Sequence, residues 1–327
     1  MICFAILGAG SIAGTMAQTI QQMRASGNQQ VSLYAVAARD GKRAEAFAQA
    51  YGVERAYGSY EEMLLDDKVQ LVYVATPHSH HYDHVMMCLE HGKHVLCEKA
   101  FAVNAQQARE MLQCARDKGL LLTEAIWTRY QPMREIIAQT VHSGVIGETK
   151  MLTANLGYEI MRKERIVEPA LAGGALLDVG IYPLNFAEMV FGAGAKIHAA
   201  CIKSDQGVDL NDSMTLIWED GKMAVLNAGA NCVSDRKGVI YGTKGFVVVE
   251  NINNPQSISV YDSKYQLMQR QECPKQLTGY EYEVMETVSC IMDGKLECPS
   301  MPHEETIHMM EVMDEARRQM GIRYPFE

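Results

Sequence analysis

The sequence predicts two domains: an N-terminal doubly wound α/β domain with a parallel sheet, and a C-terminal α+β domain with an open, mostly antiparallel sheet. Over the first 124 residues, short apolar runs alternate with helical patterns, as in βα units. Beyond them, β segments follow one another through turns such as 219–222. The length of 327 residues also exceeds one usual core. We therefore place the domains at 1–124 and 125–327, with the last helix able to pack back on the first.

Composition narrows the classes of partner. The formal net charge of -10 argues against nucleic acid or an anionic membrane surface. No window approaches a membrane-spanning run, and no basic segment precedes the first apolar residues as in a signal peptide. The nine cysteines include no C-x-x-C pair and are typical of a reduced, cytoplasmic protein. We expect a small-molecule substrate, with no nucleic acid, membrane or metal as partner.

The first strand runs directly into a glycine-rich turn. Ile2 to Leu7 is apolar throughout, and the helical spacing begins after Gly10. Gly8 allows the tight turn, Gly10 lets the backbone approach a pyrophosphate, and Ala13 permits close packing of helix on strand. The alternative is an ordinary βα turn, but here the motif opens a series of βα units. The predicted dinucleotide contacts in this turn are Gly8, Gly10, Ser11 and Ile12.

The end of the second strand, Val31 to Ala37, should lie beside the adenosine ribose. Where a carboxylate would accept the ribose hydroxyls of NAD, this chain has Ala38 followed by Arg39. An arginine can pair with a 2′-phosphate, so Arg39 favours NADP over NAD. Asp40 lies one residue late and is a candidate helix cap. The alternative for Arg39 is a solvated loop cation.

A histidine-rich turn follows the buried strand from Gln70 to Ala75. This turn lies at the carboxyl edge of the sheet, where open α/β sheets bind ligands. A metal site is the alternative, but no carboxylate or cysteine completes a tetrahedral set, so we favour a polar helix start that lines the cofactor cleft. The residues assigned to the cofactor here are Thr76, Pro77 and His81, and the histidines considered for metal are His78, His80, His81 and His84.

Two further segments could carry chemistry. Lys99 follows strand five at the ligand edge, where it could donate to a substrate oxygen or remain a solvated turn charge. Asp178 and Tyr182 stand four apart at a predicted helix start and so face the same way. Tyrosine has a pKa of about 10, which a nearby cation such as Lys99 would lower toward a useful range. The alternative is an N-cap aspartate and a half-buried aromatic residue.

The second half of the chain predicts one sheet and four helices. The helices are expected near 132–142, 180–190, 280–292 and 302–320. The predicted strands are 149–156, 195–203, 213–218, 222–230, 237–241, 246–250 and 257–261. An open sheet leaves one face to cover, which a homo-oligomer would do by packing two such faces together.

Together these motifs resemble the glucose–fructose oxidoreductase / inositol dehydrogenase / MocA family over nearly the whole chain. The resemblance rests on the glycine turn, Thr76-Pro77 with His81, Glu98-Lys99, and Gly173-Gly174 with the segment from Asp178 to Tyr182. The segments 124–130 and 174–184 look most like the dimeric dihydrodiol dehydrogenase branch, which includes NADP-dependent D-xylose dehydrogenases.

The resemblance implies an NADP-dependent oxidoreductase in which Lys99 and Tyr182 work as a pair, with Tyr182 as proton donor or acceptor and Asp178 beside it. It also implies a Rossmann domain in which Glu98 and Lys99 adjoin the cofactor, and a homodimer or homotetramer through the second sheet. The substrate would be a small cyclic polyol, trans-dihydrodiol or aldose. Candidate substrate residues are Trp127, Arg129, Tyr130, Tyr158, Arg162 and Arg165.

One departure and two alternatives remain open. The family usually has Glu-Lys-Pro, whereas this chain has Glu98-Lys99-Ala100, so Lys99 is expected to be less rigidly aimed. The first alternative is a lyase or glycosidase that retains NAD and uses hydride transfer only transiently. The second is a non-catalytic dinucleotide sensor, against which the presence of Lys99, Asp178 and Tyr182 argues.

Overall fold

A computed structural model describes all 327 residues. The chain divides into two compact units, the first made of Met1–Tyr130 with Gln276–Ile307, the second of Gln131–Lys275 with His308–Glu327. The expected boundary at residue 124 therefore lies a few residues before the end of the first stretch. The first unit also takes in a segment from near the C-terminus, which includes the beginning of the last helix.

Fourteen strands and ten α-helices form the two units. The strands are β1 (Ile2–Leu7), β2 (Val31–Ala37), β3 (Arg55–Tyr57), β4 (Leu71–Val74), β5 (His94–Glu98), β6 (Leu122–Ala125), β7 (Thr149–Gly157), β8 (Lys196–Lys203), β9 (Asp209–Ile217), β10 (Met223–Gly229), β11 (Gly238–Gly242), β12 (Gly245–Glu250), β13 (Ser257–Asp262) and β14 (Leu267–Glu272). The helices are α1 (Ser11–Ala25), α2 (Gly41–Tyr51), α3 (Tyr60–Leu64), α4 (His81–Glu90), α5 (Ala105–Lys118), α6 (Pro132–His142), α7 (Glu164–Val167), α8 (Ile181–Phe191), α9 (Glu281–Met292) and α10 (His303–Met320).

The first unit is a six-stranded parallel sheet in the order β3-β2-β1-β4-β5-β6. This is the strand order of the Rossmann fold. From β1 the order runs outward to β3 on one side and, beginning with β4, to β6 on the other, so that the order of the strands reverses between β1 and β4. All four residues of β4 are fully buried, as expected for a strand covered on both faces. The predicted doubly wound parallel sheet is confirmed.

The second unit contains an eight-stranded sheet in the order β14-β13-β12-β11-β7-β10-β9-β8. Its strand pairs are antiparallel except for β7 with β10, so the predicted mostly antiparallel sheet is confirmed. The sequence did not predict β14, an exposed and largely polar edge strand with no apolar run to mark it. It also began β9 at Ser213, whereas the strand starts at Asp209.

One segment of the second unit, Pro169–Phe191, is long and apolar enough by composition to cross a membrane, with a hydropathy of 1.3. This corrects the expectation that no window approaches such a run. Of the apolar 18-residue window within this segment, 89% is buried inside the protein. Its apolarity is therefore accounted for by the core that the segment occupies. None of the nine cysteines forms a disulfide.

Candidate active site

The turn after β1 has the geometry that a pyrophosphate cradle needs. Gly8 has φ of +106°, and a Cβ there would lie 2.9 Å from the Ala75 carbonyl oxygen. A Cβ at Gly10 would meet no atom within 4 Å, so the space above that residue is open. Helix α1 begins at Ser11 without a side-chain cap. Its first amides and the positive end of its dipole are therefore placed to hold a phosphate group.

Arg39 is exposed directly after β2, at the place where the adenosine ribose is expected. The neighbouring Asp40 does not compete for this role, because its carboxylate accepts the Lys42 amide at 2.9 Å and caps α2. Arg43, which the sequence reading missed, donates to the Ala9 carbonyl in the glycine turn at 3.3 Å. In the sequence it lies four residues after Arg39, in the first turn of α2.

Tyr60, at the start of α3, lies near both arginines. Burial raises the pKa of its phenol, and the positive charges of Arg39 and Arg43 oppose that rise. The Tyr60 ring also packs edge-on against His84, with 4.9 Å between ring centroids. Two guanidinium groups and an aromatic ring therefore surround the place predicted for the 2′-phosphate, and this group of side chains would suit a dianion.

His81 ties together the loops that follow β4 and β5. Its Nδ1 lies 2.9 Å from the Ala100 carbonyl oxygen, and its Nε2 lies 2.8 Å from that of Thr76. The ring is fully buried, and this burial lowers the pKa of His81 to about 4. Both ring nitrogens face backbone carbonyl oxygens, and the neutral ring donates its one N–H to one of them, so His81 would support a cofactor through the loops that it joins. Its assignment to the cofactor stays a prediction.

The neighbouring polar groups of α4 do not make a metal centre. Thr76 Oγ1 lies 3.0 Å from His84 Nδ1, and burial lowers the pKa of His84 to about 4. The structure holds no group of three or more His, Cys, Asp or Glu side chains arranged for a metal ion. Instead, the His84 ring packs against the rings of Tyr60 and His80.

Lys99 lies immediately beyond β5 and is half-buried. The preceding Glu98 is turned into the sheet, where its carboxylate accepts the Tyr73 hydroxyl and, at 3.1 Å, the Lys99 amide. The Lys99–Ala100 peptide bond is cis. Ala100 is buried, and its carbonyl is the one engaged by His81, so the backbone after Lys99 is anchored without a proline. Glu98 is thus a support for Lys99, and its contact with the cofactor stays a prediction.

Trp127 and Arg129 form a single turn after β6, and both have partners in their own unit. The Trp127 ring stacks on Tyr280 with 4.1 Å between centroids, and the buried Arg129 forms an ion pair with Glu305. The sequence reading passed over Glu124 at the end of β6. Burial raises the pKa of this carboxyl to about 7, and Arg129 opposes the rise. The unit therefore has a carboxyl group near β5 that titrates close to neutral pH.

In the second unit, two predicted site residues are brought together. Arg165 Nη1 lies 2.5 Å from Asp178 Oδ1, and its Nη2 lies 3.3 Å from Oδ2, a two-pronged pair. Asp178 is only 5% exposed, so its charge is balanced by this arginine. Tyr182, 8% exposed, stands at the second position of α8. Another predicted substrate residue, Tyr158, accepts a hydrogen bond from Asn253 at 3.0 Å.

The segment that carries Asp178 is a π-helical turn, Leu176–Gly180, which runs directly into α8. The sequence spacing predicts an ordinary helix start here. A π-turn is a wider coil that is common at functional sites, and it changes the direction in which side chains leave the helix. The sequence predicted that Asp178 and Tyr182 share one face of an ordinary helix. Asp178 instead lies in this π-turn, which the sequence did not indicate.

Comparison with known proteins agrees with this architecture. Residues 2–126 match the model of an oxidoreductase family with an NAD-binding Rossmann fold, and residues 132–248 match the GFO/IDH/MocA C-terminal domain. The chain is 34% identical over 332 residues to trans-1,2-dihydrobenzene-1,2-diol dehydrogenase of Mus musculus, with 98% of this chain and 97% of the relative covered. It is 35% identical over 329 residues to the Xenopus tropicalis enzyme of the same name, with 98% of each covered.

Solved structures share the fold at lower identity. A 3-ketoreductase from Actinomadura kijaniata in complex with NADP and TDP-benzene has a TM-score of 0.89 and 23% identity, with 98% of each chain covered. An aldose-aldose oxidoreductase from Caulobacter crescentus has a TM-score of 0.85 and 22% identity, with 97% of each covered.

A nicotinamide dinucleotide fits the glycine turn with its open space, the uncapped start of α1 and the strand order. One family model covers the Rossmann domain, and the other covers much of the second unit. The chain is therefore a nicotinamide-dependent oxidoreductase that belongs to the GFO/IDH/MocA family.

Proposed function

We propose that this enzyme transfers a hydride between NADP and the CH–OH carbon of a small cyclic polyol, trans-dihydrodiol or aldose. The observation that carries the proposal is the relationship to trans-1,2-dihydrobenzene-1,2-diol dehydrogenases, at 34–35% identity over nearly the full length. Substrates of this type present a secondary hydroxyl or its carbonyl, and the reaction must move one proton at that oxygen.

Each predicted catalytic residue has one task in this proposal. Tyr182 exchanges the proton of the substrate oxygen, and the Lys99 ammonium stabilises the negative charge that develops there. Asp178, fixed by Arg165, accepts a hydrogen bond from a second hydroxyl of the substrate and so orients it. When bound, the nicotinamide supplies the hydride acceptor. The lysine and the tyrosine belong to different units of the chain.

The preference for NADP over NAD is supported by the charge at the end of β2. The exposed Arg39 is joined by Arg43, and Asp40 is engaged as a helix cap. Ser11 and Ile12 begin α1, and Gly8 and Gly10 shape the turn before it, so these four residues would hold the pyrophosphate. Thr76 and Pro77, which follow β4, would be further contacts of the cofactor.

A substrate panel tests the proposal directly. Aldoses, inositols and vicinal diols would each be mixed with the enzyme and NADP or NAD, and the reduced-nicotinamide absorbance followed. We expect turnover of at least one member with NADP and slower turnover with NAD. The proposal is wrong if no member is oxidised while the enzyme retains tightly bound NAD through gel filtration, a result that would favour transient hydride transfer.

Cofactor choice is read from two variants on the same panel. Arg39→Ser should raise the Kd for NADPH about 5- to 150-fold, the effect of losing a charged contact worth about 1–3 kcal/mol, and leave that for NADH nearly unchanged. The matched control, Lys42→Ser, changes an exposed cation on α2 and should alter neither. Equal losses for both cofactors would contradict a role at the 2′-phosphate.

We also propose that the enzyme is a homodimer or homotetramer through the open face of the second sheet. A row of apolar residues crosses seven adjacent strands, each residue paired with the next in register. Side chains of directly paired residues share a face of the sheet. The row consists of Ile217, Met223, Met151, Tyr241, Phe246, Tyr261 and Leu267, of which four are exposed and three half-buried.

A further inference from the structure

A pair of buried carboxyl groups lies beneath the turn that leads to Asp178 and Tyr182. Asp209 and Asp212 stand three apart on β9, and in a regular strand they would point to opposite faces. The pairing of β8 with β9 is shifted by one residue, so that Asp209 faces Lys203 while Asn211 faces Ile202. Asp212 then faces Cys201, two residues from Lys203 on one strand. This bulge brings both aspartates to the same face.

Asp209 holds the backbone of the turn. Its Oδ2 accepts the Leu176 amide at 2.5 Å, and the Ala175 amide also donates to this carboxylate. Gly174 has φ of +117°, and a Cβ there would overlap Asp209 Oδ1. The backbone therefore approaches the carboxylate as closely as a glycine allows. Short bonds from two amides are the environment of a carboxylate anion.

Asp212 is different, because no amide, hydroxyl or cation of the protein donates to its carboxyl oxygens. Its carboxyl interacts with that of Asp209, which lies on the same face of β9. Two carboxyl groups in contact cannot both be ionised in a buried site, and a bond between them requires a proton. Burial and the charge of Asp209 raise the pKa of Asp212 well above its usual range. A proton held on Asp212 would let it donate to the Asp209 carboxylate.

We propose that the Asp209–Asp212 pair is a positioning element for the catalytic segment. Protonated Asp212 fixes the Asp209 carboxylate, Asp209 fixes the Ala175 and Leu176 amides, and these amides begin the π-turn that carries Asp178 and leads to Tyr182. Neither aspartate touches the substrate in this account. The consequence for turnover rests on the proposed role of Tyr182, whereas the hold on the turn does not.

Three variants separate this role from simple stabilisation. Asp212→Asn keeps a neutral side chain that donates to Asp209, whereas Asp212→Leu removes the donor at similar volume. Asp212→Ala does the same with a smaller side chain and serves if the leucine variant does not fold. Asp205→Asn, at an exposed aspartate between β8 and β9, is the matched control. Thermal unfolding and NADPH titration would show that each variant is folded and binds cofactor.

The first readout is hydrogen exchange of the peptide that covers residues 173–182, which needs no substrate. We expect wild-type protection in Asp212→Asn and faster exchange in Asp212→Leu or Asp212→Ala. The second readout is turnover of the best substrate of the panel above. We expect kcat to fall about 100-fold in the leucine or alanine variant, the cost of a displacement of about 1 Å at a catalytic group, and to recover in Asp212→Asn.

Each outcome decides between the possibilities. Full amide protection in a folded leucine or alanine variant overturns the proposal, and so does lost protection with unchanged kcat. If the wild-type enzyme turns over no panel member, the proposed function fails, yet faster exchange in the leucine variant would still support the hold of the pair on the turn. An Asp212→Asn variant as impaired as Asp212→Leu would show that the shared proton is not what matters.

Discussion

Gly8 and Gly10 serve different purposes in the same turn. Gly8 is needed by the fold itself, because its φ is positive and the Ala75 carbonyl lies against it. Gly10 has an ordinary extended backbone and open space above it, so the protein alone would tolerate a side chain there. We therefore propose that the requirement at Gly10 comes from the ligand.

This difference predicts opposite behaviour for two alanine variants. Gly8→Ala should lower the free energy of unfolding by about 1–3 kcal/mol, the cost of a disfavoured backbone conformation. Gly10→Ala should unfold like the wild-type protein, but its Kd for NADPH should rise about 5- to 150-fold, because the methyl group would occupy space that the pyrophosphate needs, at a cost of about 1–3 kcal/mol. Thermal unfolding and NADPH fluorescence titration measure the two effects, and a Gly10→Ala enzyme with unchanged affinity would refute the cradle.

Single residues could be interpreted from the sequence where a motif defines their chemistry. The tight turn at Gly8 and the cap formed by Asp40 agree with the sequence, whereas the contacts of the glycines with a cofactor stay a prediction. The partners of Arg129 and Asp178 did not, because Glu305 and Arg165 reach them through the fold and no pattern marks such contacts. Glu124 was overlooked for the same reason, since its burial depends on packing.

At the scale of elements, the His81 side chain links two βα loops. Its carbonyl partners follow β4 and β5, and Lys99 immediately precedes one of them. This arrangement explains how an alanine can stand after Lys99 while the backbone stays anchored. Sequence reasoning placed His81 beside the cofactor but could not show that its ring faces the backbone.

The buried His81 predicts a specific dependence of stability on pH. The pKa of His81 is lowered from 6.5 to about 4. Between these two pH values, His81 is therefore protonated in the unfolded chain but neutral in the folded protein. Wild-type stability relative to His81→Asn should therefore fall as the pH drops from about 6.5 to about 4, and stay constant above that window. The unfolding temperatures of wild type, His81→Asn and the exposed control His198→Asn measure this, and a pH-independent difference would contradict it.

Elements with strong periodicity were predicted, and those that depend on neighbours were not. Buried parallel strands and long helices can be predicted from the spacing of their apolar residues. The exposed strand β14, the bulge in β9 and the π-turn before α8 have no such signal. The last two place Asp209, Asp212 and Asp178, so the substrate side of the site was the least predictable part.

At the scale of the whole molecule, the apolar row on the second sheet is the feature that a single chain leaves unexplained. Ile217, Met223 and Met151 are adjacent in register and more than a third exposed. A contiguous apolar surface of this kind is typical of a protein interface. The sequence predicted the open sheet, whereas the row became visible only from the strand register.

The oligomer prediction is tested by sedimentation at micromolar concentration. The wild-type enzyme should sediment as a dimer or tetramer, and Met223→Asp should shift it toward monomer because a charge would be buried at the interface. Leu65→Asp places the same change on an exposed leucine of the first unit and should have no effect. A monomeric wild-type enzyme would exclude this interface.

In the proposed mechanism, Lys99 and Tyr182 assist hydride transfer between the substrate and NADP. The most direct measurement is single-turnover reduction of NADP by the best panel substrate in the wild-type enzyme, Lys99→Met and Tyr182→Phe, with NADPH titration as the control for cofactor binding. We predict that each substitution slows the hydride step about 10²- to 10⁴-fold while NADPH affinity is retained. Near wild-type hydride transfer in both variants would contradict the account.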